Sequence, residues 1–124
     1  MLKATARLTL VLFVLGMASA AFAQKATVLR VVVVKTDNVA AYLQHIEKGK
    51  EIMKKIGVKA QIRVWRATFA GPEAGSIAVA IEHPSMAAFA ADATTIGSNS
   101  EYQTWLKGLD KVRTIVSDSL YGEL

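Results

Sequence analysis

An α+β domain is the fold class this sequence predicts, and three observations predict it. Runs rich in β-branched residues, or alternating apolar with polar, recur at 26–36, 58–70 and 76–83, with a last one from 111 to the end. A helix-period segment separates the first two runs, and an alanine-rich one follows the third. Only "GPEAG" joins the second run to the third, so those two strands form an antiparallel hairpin.

Each element has a local reason. "ATVLRVVVVKT" opens the domain, and its valines at 31–34 are apolar on both parities, so this strand is central or covered on both faces. In "DNVAAYLQHIEKGKEIMKKIG" either Asp37 or Asn38 caps a helix. Val39, Tyr42, Leu43, Ile46, Gly49 and Met53 form its apolar stripe. Glu47, Lys48, Glu51, Lys54 and Lys55 lie opposite, Glu51 and Lys55 are spaced to pair, and Gly57 stops the helix. Ile62 and Val64 share one face of the next strand, while Gln61, Arg63 and Trp65 share the other. In "SIAVAIEH", Ile77, Val79, Ile81 and His83 share a face. Pro84 and Ser85 start the helix "PSMAAFAADATTIG", in which Met86 reads as a core filler, as does Met53 before it. "SNSEYQTWLKGL" is a short further helix, capped by Ser98 with Glu101 or by Ser100 with Gln103. Its stripe is Tyr102, Trp105, Leu106 and Leu109. The closing strand runs from Lys111.

The order β-α-β-β-α-(α)-β is the split βαβ arrangement called ferredoxin-like. It places helices on one face of an antiparallel sheet. The other face needs a cover, and Trp65, Phe69 and Tyr121 are the large residues expected there. A second copy of the sheet is the natural cover, which makes the chain a homodimer.

The 52% hydrophobic content is raised by the first two dozen residues. Lys3 and Arg7 precede an apolar run from Leu8 to Leu15, and Ala21 and Ala23 flank Phe22 in an A-x-A site. This is the pattern of a secretory signal peptide over 1–23, leaving one domain over 24–124 in the periplasm or outside the cell. The run is too short for a membrane span, which needs about 20 apolar residues. The chain has no cysteine, which excludes disulfides and a thiol nucleophile. Setting Lys3 and Arg7 aside lowers the net charge from +5 to +3, too mild to argue for nucleic acid.

"EHPSMAAFAA" after the hairpin and "VRTIVSDSLY" in the closing strand, with the element order, resemble the dimeric α/β-barrel superfamily. NIPSNAP-like, antibiotic-biosynthesis-monooxygenase-like and stress-responsive barrels are among its members. The likeness spans 26–121. It implies two sheets packed face to face across a dimer, with a small ligand between each sheet and its helices. Members include cofactor-free oxygenases, isomerases and haem-degrading enzymes. The haem-degrading branch uses Asn, Trp and His. The first strand here offers Arg30 among valines and no Asn, and Trp65 lies on the second strand, so no catalytic residue is carried over.

Two histidines are the candidates for proton transfer, since imidazole titrates near neutrality. His83 stands at the mouth of a sheet–helix cavity if Ile77, Val79 and Ile81 face the helices; its ordinary reading is a strand-end residue bonded to a helix start or to water. His45 flanks the apolar stripe beside Tyr42 and Gly49, and its ordinary reading is a half-buried boundary residue. Arg63, Trp65 and Arg113 are assigned one face across two strands, where arginine beside tryptophan suits a carboxylate; the ordinary reading is dimer packing, with the arginines paired to Glu82 or Asp118. Tyr42 completes the candidate ligand set. No H-x-x-x-H or H-E-x-x-H spacing occurs, so neither a metal nor a dedicated cofactor is expected. The expected activity is binding of a small aromatic or anionic molecule. The alternatives are a cofactor-independent monooxygenase or isomerase using His83 or His45, and an interaction module whose dimer surface is its function.

Overall fold

The computed structural model describes residues 26–124, so the expected leader lies outside the described residues. The chain runs through β1 (Val28–Lys35), α1 (Val39–Lys55), β2 (Gln61–Arg66), a 3-10 turn (Gly71–Glu73), β3 (Ile77–His83), α2 (Met86–Ser98), α3 (Ser100–Asp110) and β4 (Thr114–Gly122). The sheet order is β2-β3-β1-β4, with every neighbouring pair antiparallel. This is the ferredoxin-like α+β arrangement expected from the sequence.

Register decides which side chains meet the helices. Val32 stands opposite Val79, and Val34 opposite Ile77. Ile62 and Val64 stand opposite Ile81 and Val79. These residues line one face, and Val32, Val34, Ile77 and Val79 are buried against Tyr42 and Ile46 of α1 and Leu109 of α3. The opposite parity carries Arg63 and Trp65 of β2, Ala78 and Ala80 of β3, and Tyr121 of β4. That face has no helix over it, and Trp65 stays 60% exposed. In β4 the register shifts between Val33 and Val34, where Ser117 is followed by Ile115 on the partner rows. Val116 is the extra residue of this bulge.

The caps follow local chemistry, with departures from expectation at the α2–α3 junction and, beyond the caps, at Met86, Leu43 and Lys55. Asn38 caps α1, its side chain accepting from Ala41 N, and Gly57 (φ +83°) ends it. Ser85 caps α2 by accepting from Ala88 N. The α2–α3 junction is capped by Asn99, not by Ser98 or Ser100: its side chain accepts from Tyr102 N at 2.8 Å. A carboxamide oxygen reaches the third amide from this position, and Gln103, expected as the box partner, instead donates to Ile96 O. Met86 is not a core filler. It is the first residue of α2 and is exposed, while Met53 is buried. Leu43 also lies outside the core, and Lys55 pairs with Glu101 of α3 rather than with Glu51.

The two covering helices, α1 and α3, meet at a glycine. A Cβ on Gly49 would overlap Trp105 Cζ2, so the indole occupies the space where a side chain would be. The same indole donates from Nε1 to the His45 carbonyl at 2.7 Å. A larger residue at 49 must push α3 away, at the ~1–3 kcal/mol typical of overpacking. We expect Gly49→Ala to lower the urea midpoint accordingly at unchanged slope. A midpoint raised by the ~1 kcal/mol that alanine gains over glycine in a helix would mean that Trp105 does not cover this position.

Candidate functional site

A cavity of about 60 Å³ lies between the sheet and the α1–α3 pair. Its apolar wall includes Val32, Ile62, Val79 and Ile81 from the sheet and Ile46, Trp105 and Leu106 from the helices. Its polar wall is Arg30, Asp118, Arg113 and Tyr102. Arg30 shares the helix-facing parity of Val28 and Val32, and Asp118, opposite Val32, is its diagonal neighbour across β1 and β4. The pair is two-pronged: Arg30 Nε donates to Asp118 Oδ1 at 2.9 Å and Nη2 to Oδ2 at 2.6 Å. Hydrogen bonding to Arg30 holds the Asp118 carboxyl below its ordinary value, and the same bond raises the Arg30 guanidinium.

Arg113 is not on the face assigned to it beside Arg63 and Trp65. It precedes β4 on the helix side, and β2 and β4 are opposite edges of the sheet. Its Nε and Nη2 donate to Asp110 Oδ1 at 3.1 and 2.9 Å, and only 10% of its side chain is exposed. Arg63 and Trp65 face away from the cavity, on the open side of the sheet. Asp118 pairs with Arg30, not with either predicted arginine. Tyr42 sits in the core, and its hydroxyl has no hydrogen-bond partner among the described residues. Burial pushes that hydroxyl's pKa up; Arg113 lies close enough to oppose the rise but makes no well-aligned bond to it. Tyr102, on the cavity wall, is likewise raised by burial, with Arg30 and Arg113 opposing.

The histidines sit elsewhere. Ile77 and Val79 face the helices, the condition under which His83 was a site candidate, and His83 shares that face. Yet it stands beyond the cavity, at the end of β3, 4% exposed. Its Nδ1 lies 2.8 Å from Asp92 Oδ2 of α2, and its ring packs edge-on against Phe89. With the carboxylate accepting, the imidazole proton sits on Nδ1. Asp92 Oδ1 also accepts from Lys59 N at 3.3 Å. One buried carboxylate thus ties α2, β3 and the loop before β2. A lone acid in an alanine-rich helix, one turn beyond Phe89, was the signal in the sequence. His45 is half-buried, faces Gly108 of α3, and does not line the cavity. Among the described residues no cluster of three or more His, Asp or Glu side chains is placed to hold a metal ion, and no helix is long and apolar enough to cross a membrane.

No protein-family model and no curated protein matches the sequence. Among solved structures, a conserved protein of unknown function from Bacteroides thetaiotaomicron VPI-5482, described as a possible oxidoreductase, is similar with a TM-score of 0.51. The match covers 79% of this chain and 98% of that one at 9% identity, which is a likeness of fold.

Two predictions follow from the polar pairs. Asp92→Ala leaves a buried imidazole and a backbone amide without their acceptor, at a cost of ~1–3 kcal/mol. Asp92→Asn keeps one acceptor oxygen and should cost less, both read by chemical denaturation. The depressed Asp118 carboxyl contributes stability above its ordinary value of 3.8 and loses it as pH falls through the lower folded-state value. Both partners are well exposed, at 44% and 39%, so the pair lies within the ~0–1 kcal/mol of screened surface pairs. The stability difference between wild type and Asp118→Asn should be flat above pH ~5 and shrink below it. A difference that persists at pH ~2 would assign the effect to packing.

Proposed function

We propose that this chain binds a small, largely apolar molecule bearing an anionic group between its sheet and helices. We further propose that it does so as a homodimer, exported to the periplasm after cleavage near Ala23. The observation that carries the binding reading is the composition of the cavity wall: an apolar lining with Arg30, its partner Asp118 and Arg113 on one side. Arginine beside an apolar floor orients a carboxylate while the rest of the ligand is desolvated. The volume of about 60 Å³ accommodates about two waters, so a ligand must open the cavity further. Arg30, Ile115 and Asp118 are exposed on its wall and can swing without disturbing the core.

The dimer reading rests on the open sheet face, where Trp65 and Tyr121 are exposed beside Ala78 and Ala80 with no helix above them. A family place within the dimeric α/β barrels is supported by the strand order. The cavity does not favour proton-transfer catalysis by histidine, because neither His45 nor His83 lines it. The neighbour's description as a possible oxidoreductase supplies no reaction to this chain.

Trp105 lines the cavity and Trp65 is the other tryptophan, so Trp65→Phe leaves one reporter in place. Titration of this variant with small aryl carboxylates should change the emission saturably. Ile81→Phe, which narrows the cavity, should weaken binding by about tenfold or more, roughly 1.4 kcal/mol. A linear, non-saturating response would overturn the binding reading. Sedimentation of wild type and Ala80→Glu tests the dimer separately: wild type should run as a dimer and the variant as a folded monomer.

A further inference from the structure

A second space, of about 610 Å³, opens at the end of the sheet. Its walls are the loop from β1 into α1, the turn before β3 and the loop from α3 into β4. The first and last of these are pinned together, because Thr36 Oγ1 donates to Val112 O at 2.7 Å and accepts from Asn38 N. The space is therefore bounded by braced loops.

Its charge is one-sided. Lys35, Lys111 and Arg113 line it, against a single carboxylate, Asp37. Arg113 shares part of its charge with Asp110, but among the described residues neither Lys35 nor Lys111 makes an ion pair. The 17-residue helix α1 begins in the same wall and carries no acid in its first turn, so the positive end of its dipole adds to the lysines. In the turn before β3 the Ser76 hydroxyl is buried beside this space with no partner among the described residues. With Arg113 held by Asp110, the two unpaired lysines and the helix end outweigh Asp37 and offer a dianion two ammonium partners, where a monoanion would use one. The volume lies in the ~300–1,000 Å³ range of small-molecule sites, so it has room for more than a bare ion.

We propose that this cleft binds a small organic dianion, with Lys35, Lys111 and Arg113 as its charge partners. A phosphate monoester and a dicarboxylate share that chemistry. The cleft shares Arg113 with the inner cavity, whereas the two lysines line only the cleft.

The test is isothermal titration of the domain with glycerol phosphate, succinate and acetate at matched ionic strength. It uses wild type, the double variant Lys35→Gln/Lys111→Gln, and Ile81→Phe. Both lysines are exposed and outside the core, and thermal melts without ligand verify that the double variant folds. Saturable binding of a dianion is expected, with acetate much weaker. The double variant should lose about tenfold or more in affinity. Ile81→Phe should bind as wild type does, which keeps this result independent of the inner cavity. Binding of only one of the two dianions supports the site and identifies the headgroup. Absence of saturable binding, acetate binding equal to that of the dianions, or an unchanged double variant would each overturn the proposal.

Discussion

The seating of the Trp105 indole over Gly49 is the contact on which the rest of the structure depends. Two helices cover one face of a four-stranded sheet, and their separation is set where α3 meets α1. At Gly49 the missing side chain lets the indole lie directly on the α1 backbone. The bond from Nε1 to the His45 carbonyl then fixes the ring's rotation. That carbonyl has a second lone pair, so it serves the indole without giving up its place in the helix. The same ring forms part of the cavity wall. Helix spacing and the shape of the space over the sheet are thus one property, set by one aromatic residue and one glycine.

The sheet presents charge on the face that the helices cover, and it manages this by position. Arg30 breaks the apolar row Val28, Val32, Val34, and would be costly if sealed in. It lies where the cover is incomplete, and its diagonal neighbour across the β1–β4 ladder is an aspartate. Arg113 reaches the same region from the loop before β4, held by Asp110 one turn back. The charged side of the cavity is therefore supplied by two arginines 83 positions apart in sequence, each with its own carboxylate.

Much of this architecture was legible in the chain because it rests on periodicity. The alternation in Ile77, Val79, Ile81 set the covered face, and the "GPEAG" turn set the hairpin. Several of the failures concern partners chosen across the fold. Asn99 and the two serines beside it are equally good caps on paper, and only the chain's path into α3 selects the asparagine. Arg113 was placed by strand parity, but β4 begins one residue later and the parity does not apply. Asp92 and Arg30 were visible as lone charges in apolar segments, yet nothing local names His83 or Asp118 as their partners. Met86 failed because helix-period reasoning takes no account of where a helix end meets solvent.

The attachment of α2 differs in kind from that of α1 and α3. Among its residues only Asp92 is fully buried, and what holds it is the bond to His83, the reach to the Lys59 amide, the edge of Phe89 and the bond from Gln103 to Ile96 O. Lifting such a helix exposes little apolar surface. Its release therefore carries a small heat capacity and a shallow denaturant dependence. Amide protons in α2 would then exchange through a local opening that is nearly indifferent to urea, while those of β1 and β3 wait for the whole domain to unfold. Two orders of cooperativity are the expected consequence: a sheet with two helices that melts as one body, and a third helix that opens on polar contacts of its own.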